Sequence, residues 1–330
     1  MRRVPLLALF CAMAAAASAQ EVTGDIVGIH DPVIIREKDT YFIYSTNTDA
    51  PPATIRIRSS PDLVHWTQRG HVFAKLPDWA PQTIPGARGA WAPDITRVAG
   101  RYLLYYSVST FGSNRSAVGL ATNETLDPAA SNYQWRDEGV VVESTRESDF
   151  NAIDPNHVID RQGRHWLSLG SFWTGIKLFE LDPATGKLLK PAAKPYSLAS
   201  RPAPAGGAAS LEAPFIVTRP DHYYLFVSYD YCCKGVNSTY YVVVGRAKKI
   251  TGPYVGKDGS KLLEGGGTVF IRPIAEEGRY RGQGHNGWLH DADGKDYVVY
   301  HAYDRQNEGK SVLRISRVEW RDDRWPEPAH

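Results

Sequence analysis

Cysteine is scarce in this 330-residue chain, with three in all, and Cys11 falls within an N-terminal run that reads as a leader. The remaining two, Cys232 and Cys233, are adjacent, so a disulfide framework is excluded by count. No spaced partners accompany them as a zinc site requires, and we read the pair as two partly buried thiols on a hairpin in preference to a vicinal disulfide. Long apolar runs are equally scarce. Beyond the first 19 residues nothing is long and apolar enough to span a membrane. EF-hand, HExxH, P-loop and dinucleotide-binding fingerprints are missing, and helical periodicity is hard to find.

An excess of charge is also lacking. Residues 1–19 hold two Arg and no acid, so without them 36 Lys and Arg face 36 Asp and Glu. A neutral chain argues against a polyanion such as nucleic acid and fits an uncharged substrate. The first 19 residues have the layout of an export signal: Arg2 and Arg3, an apolar run from Val4 to Ala17, then Ala17-Ser18-Ala19. Export to the periplasm or the medium is expected, with a mature chain of residues 20–330 folded as a single domain. A monomer is expected.

What the chain does have is strands. Tyr41-Phe42-Ile43-Tyr44, Tyr102 to Tyr106, Tyr223 to Val227 and Tyr240 to Val244 are aromatic and β-branched, bounded by Gly, Asp, Asn or Pro. They belong to a repeat in which a polar residue opens one strand and a turn leads to a second: HDPVII with TYFIYSTN, WAPDIT with RYLLYYSV, DPNHVI with HWLSLGS, LEAPFIV with HYYLFVSYD, GHNGWLH with DYVVYHAY. The leading residues Asp31, Asp94, Asp154, Glu212 and His285 recur at roughly 60 to 70 residues, a little above the period of four-stranded blades. Five units predict an all-β, five-bladed β-propeller. The Pro, Ala and Gly-rich stretch from Ser200 to Ala209 reads as a surface loop between blades. Val312 to Trp320 reads as an outer strand of the last blade, and the segment near Asp25 to Gly28 as part of the ring closure.

If the leading residues open the innermost strands, Asp31, Asp154 and Glu212 converge at one mouth of the central channel. There, burial and mutual repulsion separate carboxyl pKa values. One carboxyl can then protonate a leaving oxygen while another activates water, the chemistry of glycosidic cleavage. Taken singly, Asp-Pro and Glu-Ala-Pro are ordinary turn chemistry; three carboxylates on equivalent repeats are a stronger signal. Asp94 departs from the pattern because Pro93 precedes it, and it reads as structural. Trp91 is better placed to stack on a sugar face.

These motifs together resemble glycoside hydrolase family 43, and within it the endo-acting α-1,5-L-arabinanases: HDP at 30–32, WAPDI at 91–95, YYSVSTFGSN at 105–114, NAIDPN at 151–156, GSFWTGIKL at 170–178, LEAPFI at 211–216, DYCCKGVNSTY at 230–240 and GHN at 284–286. The resemblance covers nearly the whole mature chain. It implies a five-bladed propeller that hydrolyses arabinan with inversion, with Asp31 as general base, Glu212 as general acid and Asp154 orienting Glu212 and raising its pKa. Inversion implies base and acid carboxyls roughly 6.5 to 9.5 Å apart. It further implies that Phe111, Gly112, Asn151, Asn156, Ser171, Phe172 and Trp173 line the substrate, and that His285 faces the channel and helps hold a cation, commonly calcium, with water. His30, His157 and His301 are given no role beyond lining the pocket. Two other readings stay open: an exo-acting arabinofuranosidase or xylosidase of the same family, and a sugar-binding propeller without catalysis. The latter predicts loss of a carboxylate, and all three are present. The Arg-Asp-Pro and Glu-Cys motifs of sucrose- and fructan-cleaving propellers are missing.

Overall fold

The near-continuous apolar strands of this chain are buried on both faces, as they must be where sheets pack face to face around a ring. In the second strand of the first blade, Phe42 and Tyr44 enter a core shared with Ile95, Tyr102 and Leu104 of the next blade. The alternate residues Tyr41 and Ile43 enter another core with Val299, Leu313 and Ile315 of the last blade. Such a core fills each of the five gaps between neighbouring blades.

The computed structural model describes residues 21–47, 54–203, 208–273 and 277–329. The expected leader and its cleavage point lie outside them. Five sheets follow in chain order, each antiparallel with its strands in sequence order, apart from the two-residue strand Thr23–Gly24 that joins the first. Their innermost strands are Ile29–Glu37, Ala90–Val98, Asn156–Ile159, Leu211–Thr218 and Tyr280–His290. The five-bladed all-β propeller is therefore as expected. One five-residue helix, Trp79–Thr83, sits between the first two blades.

Ring closure uses the segment expected for it. Thr23–Gly24 adds a parallel strand to the outer edge of blade one, while Gly28 N–H donates to Ser311 O of blade five at 2.8 Å. Lys310–Trp320 is the third strand of blade five; the outermost is Pro326–Pro328.

The register of the repeat differs from the sequence reading. In blades one, two, four and five the innermost strand bulges: residues 31–32, 92–93, 213–214 and 285–286 each face a single residue of the second strand. The first residue of every bulge is left-handed, at Asp31 (φ 50), Ala92 (φ 42), Ala213 (φ 56) and His285 (φ 50), and Asp154 (φ 59) opens blade three in the same conformation. Asp31 and Asp154 are thus equivalent. Asp94 lies two residues past the corresponding position and Glu212 one before it. Proline following the left-handed residue, at 32, 93, 155 and 214, marks this register.

Candidate active site

The bulges aim polar groups at the channel mouth, and each left-handed residue needs a partner for its N–H. The preceding blade supplies one from its second strand. Ala92 N–H donates to Thr46 Oγ1 (2.7 Å), Asp154 to Ser107 Oγ (2.9 Å), His285 to Ser228 Oγ (2.9 Å) and Asp31 to His301 Nδ1 (3.2 Å). Blade three has Gly170 at that place, with φ at 136° and no room for a side chain: a Cβ would lie 2.6 Å from Gly175 O. The Asp154 carboxylate takes over, accepting Ala213 N–H on Oδ2 at 3.1 Å.

Asp31 is surrounded by donors. Its Oδ1 lies 2.7 Å from His30 Nδ1 and 3.0 Å from His285 Nδ1, and Oδ2 accepts from Thr46 Oγ1 at 2.6 Å. Burial alone would raise its pKa, but His30 and His285 reverse that and hold the carboxyl well below its usual range. Burial likewise opposes charge on His285, yet Asp31 and then the charges of Asp154 and Glu212 push it up to about 9.

Glu212 sits one residue before its bulge and reaches the same mouth by its longer side chain. It accepts from Ser171 Oγ on Oε2 (2.7 Å) and from Tyr240 OH on Oε1 (2.8 Å). Two glycines make these contacts accessible. Gly170 lets the chain turn so that Phe172 N–H donates to Leu211 O at 2.8 Å, bringing Ser171 alongside Glu212. Gly284 leaves space for the Tyr240 ring, which a Cβ there would meet at 2.2 Å. Burial, opposed by His285 and assisted by Glu212 and Asp31, pushes the Asp154 carboxyl up to about 8.

The three carboxylates open into one cleft of about 1280 Å³, lined by segments of all five blades. Trp91, Phe111, Gly112, Asn151, Ser171, Phe172, Trp173 and His285 also line it. Phe111 is 86% and Trp173 40% exposed, so neither is committed to blade packing. Asn156 lies elsewhere: its amide donates to Asp94 Oδ2 (3.3 Å) and accepts Ile216 N–H (2.8 Å), tying three blades together. Asp94 is structural, accepting His157 N–H at 2.6 Å, and burial pushes it up to about 7. His157 lies against His165 of its own blade, stacks on Tyr105 of the blade before and is no part of the cleft.

Sequence reasoning missed the histidines and the cysteines. His30 and His301 stack with ring centroids 3.8 Å apart against Asp31. Cys232 and Cys233 form a vicinal disulfide where free thiols were expected, and the pair lines the cleft. Adjacency in sequence carries no spacing signal for such a bond.

His30, Asp31 and His301 bring three ligand atoms within 4.8 Å of one another, a His/Asp grouping of the kind that holds a metal. His285, the expected ligand, is outside it. His285 Nδ1 is committed to Asp31, leaving Nε2 for an ion, and the amide of the neighbouring Asn286 is buried with both polar atoms unpartnered. An oxygen donor of that kind suits calcium, so these residues fit a cation whose shell water completes.

A carboxyl held ionised and two further buried carboxyls facing one sugar-sized cleft equip a protein to break a glycosidic bond with water, and this propeller is a glycoside hydrolase. Within that class the chain belongs to glycosyl hydrolases family 43, whose model matches residues 27–326. It is 42% identical over 328 residues, 97% of this chain and 90% of the relative, to the extracellular exo-alpha-(1->5)-L-arabinofuranosidase ArbA of Cellvibrio japonicus (strain Ueda107). It is 40% identical over 299 residues, 90% of this chain and 87% of the relative, to extracellular endo-alpha-(1->5)-L-arabinanase 1 of Bacillus subtilis (strain 168). Among solved structures, the alpha-L-arabinanase of Cellvibrio cellulosa complexed with arabinohexaose superposes with a TM-score of 0.84 at 40% identity, covering 92% of this chain and 96% of that one.

Proposed function

We propose that this protein hydrolyses α-1,5-L-arabinofuranosidic linkages within arabinan, with inversion, after export from the cell. The observation that carries the chemistry is the contrast between Asp31, whose carboxyl the histidines hold well below its usual range, and Asp154, whose carboxyl burial and then the charge of Glu212 push up to about 8. Asp31 accepts a proton from the attacking water as its oxygen bonds to the anomeric carbon. Glu212 gives a proton to the glycosidic oxygen as the C–O bond breaks, and Asp154 orients Glu212 and keeps that proton available. Ser171 and Tyr240 fix the Glu212 carboxyl, so the acid is aimed before substrate arrives.

Trp91, Phe111 and Trp173 offer aromatic faces to the C–H side of the sugars, and Asn151 and Ser171 offer polar contacts. Calcium fits beside these carboxylates. Held by His285 Nε2 and the Asn286 amide oxygen, it would replace the proton on His285 and supply fixed positive charge there. Export agrees with the leader-like residues 1–19 and with relatives named extracellular.

A cleft of about 1280 Å³ exceeds the usual ~300–1,000 Å³ of small-molecule sites, which favours a chain of several sugars and internal cleavage. The name of the Cellvibrio japonicus relative favours exo action as a second reading. Early products from linear α-1,5-arabinan separate the two. A ladder of mixed oligosaccharides supports the endo reading, a single short product from the first minutes supports the exo reading, and no product at all rejects arabinan.

A further inference from the structure

The disulfide is joined to the Asp31 carboxylate by an unbroken chain of hydrogen bonds. Cys233 N–H donates to the Tyr303 hydroxyl at 2.7 Å, that hydroxyl lies 2.7 Å from His30 Nε2, and His30 Nδ1 lies 2.7 Å from Asp31 Oδ1. In the tautomer with the His30 proton on Nδ1, every donor points toward Asp31: amide to phenol, phenol to Nε2, Nδ1–H to carboxylate. The His30 plane is set by its stack on His301. Tyr303 and His30 lie on the wall of the cleft and are both largely buried.

The origin of the chain is held as firmly as its end. Cys233 is left-handed at φ 65, a conformation that disfavours residues other than glycine. The covalent ring closed by the adjacent cysteines restrains it there. Lys234 N–H to Ser238 Oγ (3.0 Å) and Thr239 N–H to Tyr231 O (3.0 Å) brace the loop on either side. The Cys233 amide is thereby aimed at Tyr303 through backbone that would otherwise relax.

We propose that Tyr303 and His30 are positioning residues for the Asp31 carboxylate, and that the disulfide-closed loop is the anchor from which they act. The inference rests on the reading of Asp31 as general base. Thr46 ties one oxygen of Asp31 and His285 the other; the Nδ1–H of His30 is the remaining constraint on how the carboxylate meets the attacking water. Losing it leaves the substrate cleft in place and misdirects the base, an error that acts on turnover more than on binding.

Kinetics on linear arabinan, with melting temperature as the control, test this. Tyr303→Phe is expected to lower kcat ~10-fold with KM within about twofold, and His30→Ala to lower kcat ~100-fold. His30→Asn, whose amide N–H can still reach Asp31, is expected to recover much of the loss. The double variant Cys232→Ser/Cys233→Ser is expected to lower kcat in the wild-type background and to add nothing in the Tyr303→Phe background, since both changes break one chain. Full kcat in Tyr303→Phe, a KM rise in place of the kcat loss, or additive effects of the loop and Tyr303 changes overturns the proposal. Asp31→Ala in parallel keeps two failures apart. If that variant stays active the base assignment is wrong, and if it is dead while Tyr303→Phe is fully active only the positioning role is wrong.

Discussion

Ala213 N–H donates to Asp154 Oδ2 at 3.1 Å, and Ala213 directly follows Glu212 in the chain. In the four other blades the matching N–H is met by a hydroxyl or imidazole from the second strand of the preceding blade. One carboxylate therefore both replaces a missing structural acceptor and grips the backbone that carries the proposed acid.

Asp154→Asn and Asp154→Ala divide these two duties. The amide keeps an acceptor for Ala213 and removes the titrating carboxyl proton, so kcat is expected to fall ~100-fold with little change in melting temperature. Alanine also leaves a buried N–H unmet, at a cost of about 1–3 kcal/mol, and is expected to lower both kcat and melting temperature further. Equal behaviour of the two variants in both assays would show that the bond to Ala213 is idle.

Asp31→Asn and Glu212→Gln keep shape while abolishing proton transfer. Each is expected to cost ~10²- to ~10⁴-fold in kcat, with a circular dichroism spectrum like that of the parent, because Ser171, Tyr240 and Thr46 still find hydrogen-bonding atoms opposite them. Turnover within tenfold of the parent in either variant would remove that residue from its role.

The blades were legible in the sequence because their signals are local: aromatic and β-branched runs between turns, repeated five times. The convergence of the three carboxylates was legible too, since the innermost strand of each repeat starts at the same mouth of the channel. The register was harder. Aligning on the acidic residue placed Asp94 and Glu212 level with Asp31, whereas aligning on the proline places Ala92 and Ala213 there. Asn156 illustrates the consequence. Two residues past the left-handed position, it reaches into the gaps between blades and not into the cleft. The histidines packed on Asp31 and the bonded cysteines were beyond reach, because His301 and Tyr303 come to His30 from 270 or more residues away and only the closed ring brings them together.

Phe111 tests the substrate face of the cleft. At 86% exposure it buries almost nothing within the protein, so Phe111→Ala is expected to leave melting temperature unchanged. An aromatic contact worth about 0.5–1.5 kcal/mol corresponds to a ~2- to ~10-fold rise in KM on arabinan. An unchanged KM would place the bound chain away from this loop.

His157 governs a different property, stability in mild acid. Burial, and then the neighbouring His165, lower its pKa to about 3 from the ordinary 6.5, and its Nδ1 is buried without a partner. The folded state thus resists a proton that the unfolded chain accepts readily below pH 6.5. By linkage this stabilises the fold fully above that pH, and the contribution is lost as pH falls from 6.5 toward 3. Between pH 7 and 5 the other histidines that burial disfavours as cations, His165, His222 and His301, act in the same direction, and the raised carboxyls of Asp94 and Asp154 act in the opposite one, so only the difference between wild type and a His157 variant isolates this residue. The melting temperature of the wild type is expected to fall relative to that of His157→Gln across that interval, with the variant costing some stability at pH 7. Parallel curves for the two proteins would assign the acid sensitivity to other groups.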